Sequence, residues 1–218
     1  MTKSKMWLII VFLIATVCGC SKQEESKVDL SAPVPRYVEG VHFHKIKGMP
    51  ASDTPQLIKF ISHFCPACRN FEMTSNLHIP DGVTVERFPV SYGREAWLKA
   101  AKSYATLRAM NLHEQFSDEL FTALQDEREP LTDRVYFVNW VSRRTAFTPE
   151  QIDAAYGHEK TSELVTMYRA AERRYSITSV PTIVINGNIE IDLASMEGDT
   201  QSERMTFLDG LVNYLLAQ

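Results

Sequence analysis

Apolar and polar positions divide the chain into blocks with different periods. Met6 to Val17 is almost entirely apolar and follows Lys3 and Lys5, and Ser21 to Arg36 is polar, with two prolines near its end. From Tyr37 the pattern becomes strand-like. Tyr37 to Ile46 alternates, Gln56 to Phe64 is a near-continuous apolar run, and Val83 to Val90 reads as a third strand, with Met49 to Pro55 a loop between the first two. From Glu95 the period lengthens: Trp97, Ala100, Ala101, Tyr104 and Leu107 recur at helical spacing. Further helices are predicted over Glu114 to Gln125, Thr132 to Ser142, Pro149 to Tyr156 and Glu159 to Tyr175. Thr148-Pro149-Glu150-Gln151 is a good helix start, with a capping threonine, proline in the first turn and a glutamine three residues on. Thr182 to Ile185 and Ile189 to Ile191 flank Asn186-Gly187, a pair that tolerates the positive φ of a tight hairpin turn. Ser202 to Leu216 is a last amphipathic helix.

The order is strand, strand, helix, strand, helical block, hairpin, helix. That is a thioredoxin-like α/β fold interrupted by an all-helical insertion, with 37–92 and 176–218 forming the α/β domain and 93–175 the insertion.

Charge and cysteine usage narrow the function. Met6 to Val17 is too short to span a bilayer as an ordinary helix but matches the core of an export signal. Val17-Cys18-Gly19-Cys20 resembles a bacterial lipobox, which implies that 1–19 is a signal peptide, that Cys20 is lipidated and that 20–36 is a flexible tether. Ser21 after that cysteine implies, by the same resemblance, a periplasmic domain anchored to the outer membrane. Removing 1–19 takes away two lysines and no acid, so the formal charge of -4 becomes -6. No basic run or aromatic-interleaved basic stripe appears, which argues against nucleic-acid binding. An exported chain with one internal cysteine pair is no disulfide-stapled scaffold, so its core must come from hydrophobic burial. The tether is too short for a dimerisation domain, and a monomer is expected.

The pair itself is Cys65-Pro66-Ala67-Cys68, directly after the apolar run and opening a helical segment. A thiolate at a helix N-terminus faces unpaired backbone N–H groups and the positive end of the helix dipole, so its charged form is favoured. Pro66 suits the first helical turn, making Cys65 the exposed capping residue and Cys68 the deeper one. The outer sulfur would attack and the inner one resolve.

Here the chain resembles the DsbA family of bacterial thiol-disulfide oxidoreductases, over roughly Tyr37 to Leu216. The resemblance rests on Phe64-Cys65-Pro66-Ala67-Cys68 after a strand, on the helical insertion, and on Ser179-Val180-Pro181-Thr182 before the hairpin. It implies that the Val180-Pro181 peptide is cis and lies against the cysteine pair. It further implies that the oxidised pair, with no other cofactor and no metal, introduces disulfides into folding exported proteins that carry cysteines, and that a membrane reoxidase of the DsbB type restores it. A reductase or isomerase is the alternative within the class. From another class, Cys65, Cys68 and His63 with His42 or His44 would make a soft-metal site for a copper or zinc carrier.

Two departures from the family stand out. Its best-known members carry Pro-His between the cysteines, where this chain has Pro66-Ala67, so a weaker oxidant is expected. Lys59 occupies a position six residues before Cys65 where many members have a buried acid. Interrupting a central strand, Lys59 must find an acid, lower its pKa or reach water, and Glu86 is the nearest candidate in sequence, since the neighbouring-strand residue, Arg87, cannot pair with it. His63 is a second possible tuning residue. Trp97, Tyr104, Phe116, Phe121, Trp140 and Phe147 are expected to form the core of the helical block. Met49, Met73 and Met110 are candidates for a peptide groove, and Asp126-Glu127-Arg128-Glu129 reads as a solvated loop.

Overall fold

The computed structural model describes residues 36–218; the signal segment, Cys20 and the tether up to residue 35 lie outside the described residues. β2 (Gln56–Ile61), α1 (Pro66–Thr74) and β3 (Thr84–Pro89) make a strand-helix-strand crossover in which β2 and β3 pair in parallel. β4 (Thr182–Ile185) and β5 (Ile189–Ile191) form an antiparallel hairpin, and β1 (Phe43–Lys45) pairs antiparallel with β5. The sheet order is β1-β5-β4-β2-β3, so β2, which leads into the cysteines, is an interior strand.

Both faces of β2 are covered, which is why its apolar run is continuous instead of alternating. Leu57 packs with Phe71 of α1 and with Phe207, Leu208 and Leu211 of α7 (Gln201–Leu216). Ile58 and Phe60 point the other way, toward Val90, Ala171 and Ile177. Burying side chains of this size is worth about 1.5–3 kcal/mol each.

Between β3 and β4 the chain forms five helices: α2 (Glu95–Ala109), α3 (Ser117–Gln125), α4 (Arg134–Ser142), α5 (Pro149–Gly157) and α6 (Glu159–Arg174). Tyr104, Phe116, Leu120, Phe137 and Trp140 fill their common core. The α5 start is a full capping box, with Thr148 accepting from Gln151 N and the Gln151 side chain accepting from Thr148 N. Asn186 and Gly187 have φ of 48° and 74°, the positive values that a two-residue primed turn requires.

Four expectations need correction. The first strand is only three residues long, because Gly40 takes φ 83° and residues 38–42 close a turn in which His42 N donates to the Val38 carbonyl. Among the aromatics assigned to the helical core, Trp97 packs instead against the cluster of Val90 and Ile177, and Phe147 is 37% exposed. Phe121 packs on the cysteine pair itself. Periodicity identifies a buried face but not which neighbour covers it.

Candidate active site

Cys65 is the N-cap of α1, with extended backbone (φ -94°, ψ 113°), and Pro66 occupies the first helical turn. The Cys65 Sγ accepts a hydrogen bond from Cys68 N at 3.2 Å, one of the amide donors that a helix start leaves unpaired. Both cysteines are free thiols. Cys65 retains 9% of its surface and Cys68 none, so the outer sulfur is less open than its capping position alone suggests. Burial, and then the hydrogen bond with Cys65, pushes the Cys68 thiol far above the ordinary thiol range. Pro66 and Ala67 are exposed between them.

Two other elements close the site. The Val180-Pro181 peptide is cis, and the Cys65 thiol donates to the Val180 carbonyl at 3.5 Å. Ile61, Phe121 and Val180 pack around the two sulfurs. From the end of α3, the Gln125 amide donates to the carbonyls of His63 (2.8 Å) and Cys65 (3.2 Å), and Asp126 pairs with Arg69 of α1 at 2.5 Å. The helical insertion therefore grips the loop that carries Cys65, and Asp126, exposed as expected of a solvated loop residue, adds an ion pair to α1. No signal in the sequence singles out Gln125.

A sulfur at a helix N-terminus above a fully buried one is an arrangement suited to dithiol–disulfide exchange. The family model described as Thioredoxin matches residues 48–201, well over half of the chain. The chain belongs to this family. Its relatives include DsbA proteins. The thiol:disulfide interchange protein DsbA of Escherichia coli (strain K12) is 22% identical over 203 residues, 88% of each chain. That of Pseudomonas syringae pv. tomato is 25% identical over 146 residues, 66% of this chain and 67% of its own. Among solved structures, Proteus mirabilis DsbA with a non-covalently bound peptide superposes with a TM-score of 0.71 at 21% identity, covering 84% of this chain and 99% of that one. Pseudomonas aeruginosa DsbA gives 0.70 at 20% identity, covering 83% and 93%. This chain is accordingly a disulfide oxidoreductase of the DsbA type, with the thioredoxin-like fold and its helical insertion.

The DsbA-type site here stands on an unusual charge cluster. Lys59 points to the α1 side of the sheet and is 7% exposed, so it does not reach water. Its Nζ lies 2.6 Å from Glu72 Oε1 and 2.7 Å from Oε2, the latter with hydrogen-bond geometry. Arg87, beside Lys59 in the parallel register, donates to the same Glu72 Oε2 at 3.0 Å and to Glu114 at 2.8 Å. Glu86, the acid nearest in sequence, pairs instead with Arg108 at 2.5 Å. Burial lowers the Lys59 pKa, and the Glu72 carboxylate opposes that shift. The signal for Glu72 was available: it lies four residues after Cys68, on the same helical face that looks down onto the sheet.

His63 is 1% exposed, with its ring 4.8 Å from that of Phe121 and 5.3 Å from that of Tyr104, and its Nε2 has no hydrogen-bond partner among the described residues. Burial lowers its pKa from 6.5 to about 4. Between those values the unfolded chain takes up a proton that the folded chain refuses, so stability present above pH 6.5 is lost as the pH falls toward 4. The loss is on the order of 3 kcal/mol. His63→Leu should shrink the difference in unfolding free energy between pH 7 and pH 4.5 by roughly 2–3 kcal/mol, read by denaturant titration. An undiminished pH dependence in the variant would show that other groups cause it.

The remaining candidates do not converge on the cysteines. His42 is buried against Phe207 and accepts from Val38 N, whereas His44 is exposed, because His42 belongs to the turn and escapes the strand alternation. Among the described residues no three His, Cys, Asp or Glu side chains gather as a metal-binding group, so the soft-metal constellation is not assembled. Met110 packs against the helical core and Met73 is exposed on α1.

Proposed function

We propose that the protein is a dithiol oxidase that introduces disulfides into folding exported proteins. The carrying observation is the asymmetry of the pair: Cys65, which retains 9% of its surface at the α1 N-terminus, above a Cys68 that retains none. A substrate thiolate attacks the Cys65 sulfur of the oxidised pair; the new S–S bond forms as the Cys65–Cys68 bond breaks, and Cys68 leaves as a thiolate that takes up a proton. A second substrate thiolate then attacks the substrate sulfur of the mixed disulfide and releases Cys65 as a thiolate. The substrate loses two electrons and the pair gains them. Burial of Cys68 favours its thiol form, so the proton that this sulfur takes up on leaving stays with it. A quinone-linked membrane reoxidase of the DsbB type completes the cycle, and the family resemblance is what supports that partner.

Equilibration of the Cys65–Cys68 pair with glutathione tests the reading. A potential well above the glutathione couple supports an oxidase, and one well below it overturns the proposal in favour of a reductase. Ala67 is the site's free adjustment, being exposed beside Cys65. Ala67→His should add a donor to the Cys65 thiolate and raise the potential by a few tens of millivolts, since 1.4 kcal/mol corresponds to about 30 mV for this couple. An unchanged or lower potential would remove residue 67 from the tuning of the site.

We further propose that Cys20 carries the lipid that holds the domain in the periplasm at the outer membrane. The lipobox-like Val17-Cys18-Gly19-Cys20 supports it. Cys20→Ala should abolish incorporation of labelled fatty acid while exchange activity persists, and an unlabelled wild-type protein would refute the anchor.

A further inference from the structure

Beside the cysteine pair lies a surface rich in arginine. Val180 packs both on the cysteines and on the cluster that includes Tyr92, Trp97 and Tyr175, so the two areas are contiguous. Around that half-buried aromatic rim stand Arg94, Arg169, Arg173 and Arg174, all exposed, and none of them forms an ion pair with a carboxylate of the described residues. Arg94 is instead stacked over Trp97, with its guanidinium carbon 4.8 Å from the ring centre.

The acids nearest to these arginines in sequence make other contacts and form no ion pair with them. Glu172, on α6 between Arg169 and Arg173, turns inward: its Oε2 accepts from Ser91 N (2.8 Å) and Ser91 Oγ (3.3 Å), and its Oε1 accepts from Tyr92 N (2.9 Å). Glu95, next to Arg94, pairs with Lys99 at 2.8 Å. Ser91, Gly93, Arg169, Glu172 and Arg173 line a cleft of about 190 Å³. A chain with a formal charge of -4 thus presents unpaired arginines on the one side of its reactive cysteine where α6 meets the β3–α2 loop.

We propose that this arginine face selects substrate polypeptides with acidic residues close to the cysteine being oxidised. The guanidinium groups of Arg169 and Arg173, one helical turn apart, bind carboxylate side chains as planar two-donor groups while the neighbouring thiol engages Cys65. The attraction raises the rate of encounter and fixes the direction in which the substrate chain crosses the site. The inference rests on the oxidase reading and adds the chemistry of its preferred substrate.

The test uses the full mature protein and three dithiol peptides with the same cysteines, flanked by glutamates, by serines or by lysines. At low ionic strength the double variant Arg169→Glu/Arg173→Glu should oxidise the glutamate peptide about tenfold more slowly than wild type does. It should leave the serine peptide within about twofold and should not slow the lysine peptide. High salt should erase the difference, because the groups are solvent-exposed. Equal wild-type-to-variant ratios for the three peptides would overturn the proposal, and so would substitutions that alter only the affinity for phosphatidylglycerol vesicles. Failure of the wild type to oxidise even the serine peptide would instead overturn the oxidase reading.

Discussion

Cys68→Ser should turn the protein into a trap that accumulates mixed disulfides through Cys65. The wild-type mixed disulfide has two exits: attack by the substrate's second thiol, or return attack by Cys68, whose amide lies 3.2 Å from the Cys65 sulfur. The variant keeps only the first, and loses it too when the substrate carries a single cysteine. Because an intramolecular nucleophile held in place acts at a very high effective concentration, single-cysteine adducts should live at least about a hundredfold longer in Cys68→Ser than in wild type. Cys65→Ser should form almost no adducts, since the remaining Cys68 is fully buried. Non-reducing electrophoresis after acid trapping reads both. Adducts that appear with Cys65→Ser and not with Cys68→Ser would exchange the two roles.

Glu72→Gln should be among the most destabilising single changes in the α/β domain that spare the cysteines. The Glu72 side chain is 3% exposed and touches both Lys59 (9%) and Arg87 (17%). Removing the carboxylate leaves a buried ammonium without its counter-charge and strips Arg87 of one of its two acids. Breaking a buried pair in this way costs about 3–5 kcal/mol, more than the pair itself contributes, because the orphaned charge keeps its desolvation penalty. Glu86→Gln, by contrast, breaks a pair whose members are 25% and 20% exposed and should cost about 1 kcal/mol or less. The deficit of Glu72→Gln should narrow as the pH rises. Burial already lowers the Lys59 pKa below 10.5, so in that direction the lysine sheds its proton in the folded state before the unfolded chain does, and above both values the orphaned charge is gone. Denaturant midpoints for the two variants across that range check the prediction. Comparable losses for Glu72→Gln and Glu86→Gln would mean that Lys59 is served by another group.

The elements that depend on local chemistry were legible in the chain. A capping threonine before proline starts α5, two residues able to adopt positive φ make the β4–β5 turn, and a cysteine followed by proline caps α1. Each signal is complete within a few neighbouring residues, because it concerns backbone groups that the same short segment satisfies or leaves open. The continuous apolar run of β2 likewise announced a strand covered on both faces.

What covers those faces is a matter of partners distant in the chain, and only the packed structure decided it. Sequence proximity favoured Glu86 for Lys59, whereas the alternation of β2 turns Lys59 toward α1, where Glu72 waits on the face below Cys68. Phe121 and Gln125 gave no local sign of a place at the cysteines; the docking of α3 against the α/β domain put them there. The cysteine pair and the elements that carry it were therefore written in short-range pattern, while the shell that surrounds it arose from long-range contacts, because burial and ion pairing reward whichever groups the folded chain brings together, irrespective of their separation in sequence.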